Sequence, residues 1–183
     1  MSTNGKILVI GGGISGISAA AEAAELGYEV VLVEKEPYLG GRVIRMNQYF
    51  PKLCPPTCGM EINIRRIRQN PRITVHTLAE VEKVSGEPGN YSVSIRVRPR
   101  YVTGKQPVTQ GHFDAVTAEI PDEFNYGMKT AKALFLPHES AFPMLHVLDK
   151  GKLSAEEIEK LKAASPAGAI DLDMKEEQVE EKV

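Results

Sequence analysis

Lys6 to Glu34 of the chain read KILVIGGGISGISAAAEAAELGYEVVLVE. Lys6 to Ile10 is an aliphatic run that predicts a short buried strand, and Ile14 to Leu26 is an Ala-rich helix with Gly27 at its stop position. Glu29 to Val33 is a second β-branched run. Strand, helix and strand within about 30 residues force a parallel pair with a right-handed crossover. Between them lies Gly11-x-Gly13-x-x-Gly16: Gly11 for a tight turn, Gly13 for close approach of backbone to a pyrophosphate, Gly16 for close packing of helix on strand. The helix N-terminus, with Ile14 and Ser15 in its first turn, presents free N–H groups and the positive end of its dipole to phosphates. Glu34, followed by Lys35, ends the second strand where a carboxylate accepts from a ribose 2′- and 3′-hydroxyl pair. That carboxylate repels a 2′-phosphate, so NADP is disfavoured and NAD and FAD remain. An ordinary glycine-rich turn is the bland alternative.

The whole chain agrees with one such α/β domain. It has 183 residues, 42% hydrophobic, with 22 Lys plus Arg against 24 Asp plus Glu and a net charge of -2. That composition excludes a disordered chain and gives one domain of about 100–150 residues with an appendage. The apolar runs, Ile7 to Ile10 and Ala19 to Ala24, fall far below the ~20 residues of a membrane span. The N-terminal strand does not read as a signal peptide, and a cytoplasmic location is the default expectation. With slight negative charge and no recognition module, nucleic acid is not an expected partner.

Further along, Met46 to Gly59 predicts an irregular loop, Met60 to Gln69 a helix ended by Asn70-Pro71, and Arg72 to His76 a strand. Ala79 to Arg98 predicts a hairpin with Tyr91, Val93, Ile95 and Val97 on one face. From residue 101 to 150 loops and short elements are expected. Ser154-x-x-Glu157 is a capping box that starts a helix stopped by Pro166, and Asp171 to Val183 reads as a solvated, frayed acidic end. Residues 42–105 carry 12 Lys plus Arg and 4 acids, which reads as a solvated face, as a surface for an acidic partner or as added attraction for cofactor phosphates.

Cys54-Pro55-Pro56-Thr57-Cys58-Gly59 holds both cysteines. Two thiols cannot complete a four-ligand zinc or iron–sulfur site, so no metal site is expected. The pair reads either as thiols buried in a proline-stiffened loop or as a redox pair or partial cluster ligands, with Lys52, Arg65, Arg66 and Arg68 favouring thiolate. His76, His112, His138 and His146 have no metal spacing and are expected to be structural; no Ser–His–Asp set argues for hydrolysis.

Gly40-Gly41-Arg42, following Glu34, resembles the extended fingerprint of FAD-binding flavoproteins with two dinucleotide domains. The resemblance implies a Rossmann-like FAD/NAD(P)-binding domain with a β-meander, FAD in preference to NAD, a flavin pyrophosphate held by Gly41 and Arg42, and backbone near Val81 against the adenine. Tyr38-Leu39-Gly40-Gly41-Arg42 with Asn47 to Gly59 then resembles the A subunit of heterodisulfide reductase. Within that family it is most similar to the A subunit of the quinone-interacting membrane-bound oxidoreductase complex of sulfate reducers and sulfur oxidisers, through about Tyr101. Such a resemblance implies a soluble flavoprotein of electron transfer in sulfur metabolism, partnered by adenylylsulfate reductase or by a quinone-linked membrane component; a homo-oligomer is compatible.

Glu119 to Gly127 is similar to the stretch after the family's ferredoxin-type cysteines, whose positions fall here on Gln106, Thr109, His112 and Val116, while Ser165 stands where Ser165 to Asp171 resembles a second ligand segment. No ferredoxin-type cluster is expected. Nor does a later Gly-Asp segment close the flavin site, so the length reads as the ADP-binding half of a larger flavoprotein: residues 1–100 the dinucleotide domain, 101–183 a degenerate ferredoxin-like segment. Three functions follow: an FAD-binding electron-transfer subunit with Cys54 and Cys58 as its catalytic thiols, a non-catalytic assembly or regulatory relative, or a small NADH-dependent disulfide reductase.

Overall fold

The structure, a computed structural model, describes residues 5–51, 53–165 and 168–183. The chain divides into two units, Met1–Arg98 with Glu176–Val183, and Pro99–Lys175.

In the first unit, β1 (Lys6–Ile10), α1 (Ile14–Glu25) and β2 (Glu29–Val33) form the expected parallel unit, with Lys6 opposite Glu29 and Ile10 opposite Val33. After α2 (Thr57–Gln69), β3 (Ile73–His76) pairs parallel to β2, giving the order β1-β2-β3. The middle strand is covered on both faces, which is why Val30, Val31, Leu32 and Val33 are all buried. Fully burying Leu32 contributes ~2 kcal/mol. Helix α1 buries Ile17, Ala20, Ala21 and Ala24, a stripe at three- and four-residue spacing. It ends in a Schellman motif: Gly27, at φ +101, donates to Ala24 O and Tyr28 N to Ala23 O.

Helix α2 begins at Thr57, three residues ahead of the expected Met60, because Pro55-Pro56 presets the φ of a first turn and Pro56 is the N-cap. Cys58 therefore sits in a helix, not in the loop.

The hairpin forms as expected, β4 (Ala79–Glu87) against β5 (Asn90–Val97). The acidic end does not fray. It supplies β10 (Glu177–Lys182), antiparallel to β5 from Glu177 opposite Val97 to Lys182 opposite Ser92. Val179 and Val183 pack with Val93, Ile95, Val31 and Val33, while Glu181 pairs with Lys6 at 2.9 Å. Three glutamates in β10, and Glu176 just before it, hide the alternation that makes it a strand. These last residues belong to the first unit and not to the segment that precedes them.

The second unit holds the expected loops and short elements, α3 (Gln110–Ala115), the pair β6 (Glu119–Pro121) and β7 (Thr130–Lys132), and the pair β8 (Leu134–Phe135) and β9 (Val147–Leu148), followed by α4 (Ala155–Ala164). Val102, Val116, Ala133, Leu134, Leu148 and Leu161 are among its core. The Ser154 capping box is present, and its partner Glu157 does more than cap: one carboxylate oxygen accepts from Ser154 N and Oγ, both at 2.9 Å, and the other from Thr117 N, Thr117 Oγ1 and Ala118 N at 2.7 to 2.8 Å. The hydrogen bond from Ser154 backbone, followed by those from Thr117 and Ala118, holds this carboxyl far below the usual carboxylate range. Pro166, the expected helix stop, lies outside the described residues. Among the described residues no helix is long and apolar enough to cross a membrane.

Candidate dinucleotide site

The turn from β1 into α1 is held from below by Gly11 N donating to Val33 O at 2.8 Å. Its four glycines do different work. A Cβ built on Gly16 would lie 1.9 Å from the Gly11 carbonyl oxygen, so only glycine lets helix and turn meet. On Gly12 it would lie 2.4 Å from the Leu39 side chain. On Gly11 and Gly13 it would meet nothing within 4 Å. Those two face open space, as a backbone cradle for a ligand requires, and the first intrahelical bond, Ile17 N to Gly13 O, leaves the N–H groups of the first helical turn without intrahelical acceptors, an arrangement that can receive an anion. Ile14 and Ser15 are exposed on that turn.

Glu34 is buried at the end of β2. One carboxylate oxygen accepts from Gly12 N at 2.6 Å and the other from Glu36 N at 2.8 Å. Each keeps capacity for a further donor, such as a ribose hydroxyl. The carboxylate is thus aimed before any ligand arrives. Gly12, the middle glycine that the spacing rule passes over, supplies half of that aim; the run of three glycines was its only signal.

The second glycine motif comes to the first. Gly40 N donates to Gly12 O at 2.7 Å, and Gly13 and Gly40 form a parallel bridge. Gly41 takes φ +56, and a Cβ there would lie 3.0 Å from Gly13 Cα, so a side chain would press on the cradle. Arg42 is exposed beside it, ahead of a short turn at Val43–Arg45. Lys35 is exposed one residue past Glu34, and Val81 is half-buried on β4 at an irregularity between Val81 and Lys83.

The cysteines stand on a separate element. Neither forms a disulfide; Cys54 is half-buried and Cys58 is exposed in the first turn of α2. Their segment is folded back by Leu53 N to Tyr49 O, Tyr49 N to Cys54 O and Cys58 N to Pro55 O, at 2.9, 3.3 and 3.1 Å. Two of the arginines expected to favour thiolate are committed to carboxylates, Arg65 to Glu61 at 3.2 Å and Arg66 to Glu25 at 2.8 Å. Lys52 lies outside the described residues.

Of the positions that the resemblance aligns with cluster ligands, Gln106 is exposed, Thr109 and His112 cap α3, and Val116 packs in the core. Val116 is fully buried, and His112, 3% exposed, accepts through Nδ1 from Thr109 N at 3.0 Å. His146 meets Phe113 edge-on and His138 stacks on Phe124; burial holds both imidazoles below their usual range. Among the described residues no group of three or more His, Cys, Asp or Glu is placed to hold a metal ion.

Residues 6–133 match the family model described as FAD dependent oxidoreductase. The chain is 37% identical over 179 residues to one of the iron-sulfur A subunits of CoB--CoM heterodisulfide reductase from Methanopyrus kandleri, covering 97% of this chain and 27% of the relative. It is 37% identical over 180 residues to the corresponding iron-sulfur A subunit of the CoB--CoM heterodisulfide reductase of Methanocaldococcus jannaschii, covering 96% and 27%. It therefore spans about a quarter of the length of these curated relatives. Among solved structures, L-proline dehydrogenase from P. horikoshii aligns with 49% of this chain and 19% of its own, at 22% identity and a TM-score of 0.40.

Proposed function

Because the chain belongs to the FAD dependent oxidoreductase family, we propose that it holds the ADP half of FAD in an electron-transfer subunit of the heterodisulfide reductase A type. The observation that carries this reading is the open side of Gly11 and Gly13 beside the buried, pre-aimed Glu34 carboxylate. The residues fit the cofactor: N–H groups of the turn at Gly13, Ile14 and Ser15 bind the pyrophosphate, and Glu34 accepts from the ribose. Gly41 keeps the approach to the cradle clear, and exposed Arg42 adds positive charge for the phosphates. When bound, FAD supplies the capacity to take up and release electrons singly or in pairs.

Cys54 and Cys58 are the redox thiols of this reading, outside any disulfide and on the stiff entry to α2, where exposed Cys58 is open to exchange. In its finer form, the protein is of the quinone-interacting membrane-bound oxidoreductase kind, works in the cytoplasm and passes electrons between adenylylsulfate reductase and a quinone-linked membrane partner. Sequence resemblance from Tyr38 to Gly59 supports that form.

A second reading, a non-catalytic assembly or regulatory relative, is favoured by one observation: His112 and Val116 fill core positions where cluster ligands would stand. Reconstitution with FAD separates the two. The flavoprotein turns yellow and loses the colour in the Gly13→Asp variant; protein that stays colourless after incubation with FAD overturns the cofactor claim.

A further inference from the structure

We propose that Arg98 binds the adenine of the cofactor, an inference that rests on the FAD reading above. Strand order sets the direction of the ligand: room for phosphates lies at the end of β1 and the ribose acceptor at the end of β2. Ligands of such sheets lie across the carboxyl ends of the strands. The base attached to that ribose therefore continues past β2, toward the end of β3 and the start of β4.

Three chain segments are tied together at that place. Glu34 N donates to His76 O and Ala79 N to Glu34 O, at 2.8 and 2.9 Å; Leu78 N donates to Glu36 O at 3.1 Å, and Arg98 N to Leu78 O at 2.9 Å. Leu78 is held at φ +55, a left-handed conformation that a bulky side chain keeps only where its surroundings dictate it, and such residues gather at binding sites.

The Arg98 guanidinium donates from Nη2 to the carbonyl oxygen of Lys35 at 2.9 Å, one residue beyond the ribose acid. The side chain is exposed; Glu80 and Glu82 pair with Arg96, and Glu36 with Arg45. A planar cation fixed along one edge keeps its flat faces for an aromatic ring, and a purine stacks there in a way that a lysine ammonium cannot match.

Titrations of the full chain with FAD and with etheno-ADP, whose fluorescence anisotropy reads how firmly the base is held, test this. Arg98→Ala raises Kd for both ligands about tenfold and lowers the anisotropy of bound etheno-ADP; Arg98→Lys, which keeps the charge and loses the plane, does nearly the same. Unchanged affinity in Arg98→Ala overturns the proposal, as does full recovery in Arg98→Lys or a melting temperature lowered in step with affinity. Wild-type protein that binds neither ligand overturns the FAD reading and this inference with it, whereas wild-type binding with an indifferent Arg98→Ala overturns the inference alone.

Discussion

Glu34 and Glu157 are both buried carboxylates, 6% and 7% exposed, and the chain uses them in opposite ways. Glu157 accepts from five donors on the cap of α4 and at Thr117 and Ala118. Glu34 accepts from two, one on each oxygen, and the neighbouring glycines face open space. A carboxylate taken out of water must find donors. Saturated, it joins pieces of a fold; half-satisfied beside an open cradle, it is poised for donors from outside.

The comparison can be broken in several ways. The largest effect is expected from closing the open side. Gly13→Asp sets a second negative charge where phosphates should lie, so FAD affinity falls about a hundredfold or more while the melting temperature stays near wild type, since the new side chain starts in empty space. Equilibrium dialysis with retained FAD uptake would count against the cradle. Next comes Glu34→Gln, which turns one acceptor oxygen into a donor facing a backbone N–H; FAD affinity should drop about tenfold. Glu157→Gln should do the reverse, leaving FAD affinity alone and speeding hydrogen exchange at Thr117, Ala118 and the first turn of α4. If both variants lose FAD equally, the division of labour between the two carboxylates is wrong.

The smallest effect is of pH. His138 and His146 are held below the imidazole value of 6.5 by burial, so the unfolded chain takes up their protons first. Stability of the second unit is complete above about pH 6.5 and falls as pH drops below it. Glu157 acts in the same direction at lower pH: its contribution is present above 4.5 and is lost on further acidification. Denaturant titrations at about pH 7.5 and about pH 5.5, followed by hydrogen exchange in the second unit, should give the lower stability at the acid end.

The part of this molecule governed by local rules was legible beforehand. The β1-α1-β2 unit, its glycine spacing, Glu34, the hairpin and the Ser154 box each depend on residues a few positions apart or on one period of hydrophobicity. What escaped depends on partners distant in sequence. β10 exists because β5 offers Val93 and Ile95 to Val179, a match invisible within a run of acids. Gly12 matters because Leu39 and Glu34 arrive above it, and Arg98 stands out only once its guanidinium is seen on Lys35. The early start of α2 was readable from Pro55-Pro56, but a proline pair signals a loop as readily as a helix entry.

The placement of β10 also bears on how the protein acquires its structure during synthesis. Lys6 and Glu181, bonded in the finished fold, are 175 residues apart, and the whole of Pro99–Lys175 is translated between β5 and the strand that covers it. A ribosome that has released only the first hundred residues leaves Val93 and Ile95 beside an unfilled sheet edge. Completing the dinucleotide half is therefore a late, high-contact-order step that closes a loop containing the whole of the intervening unit.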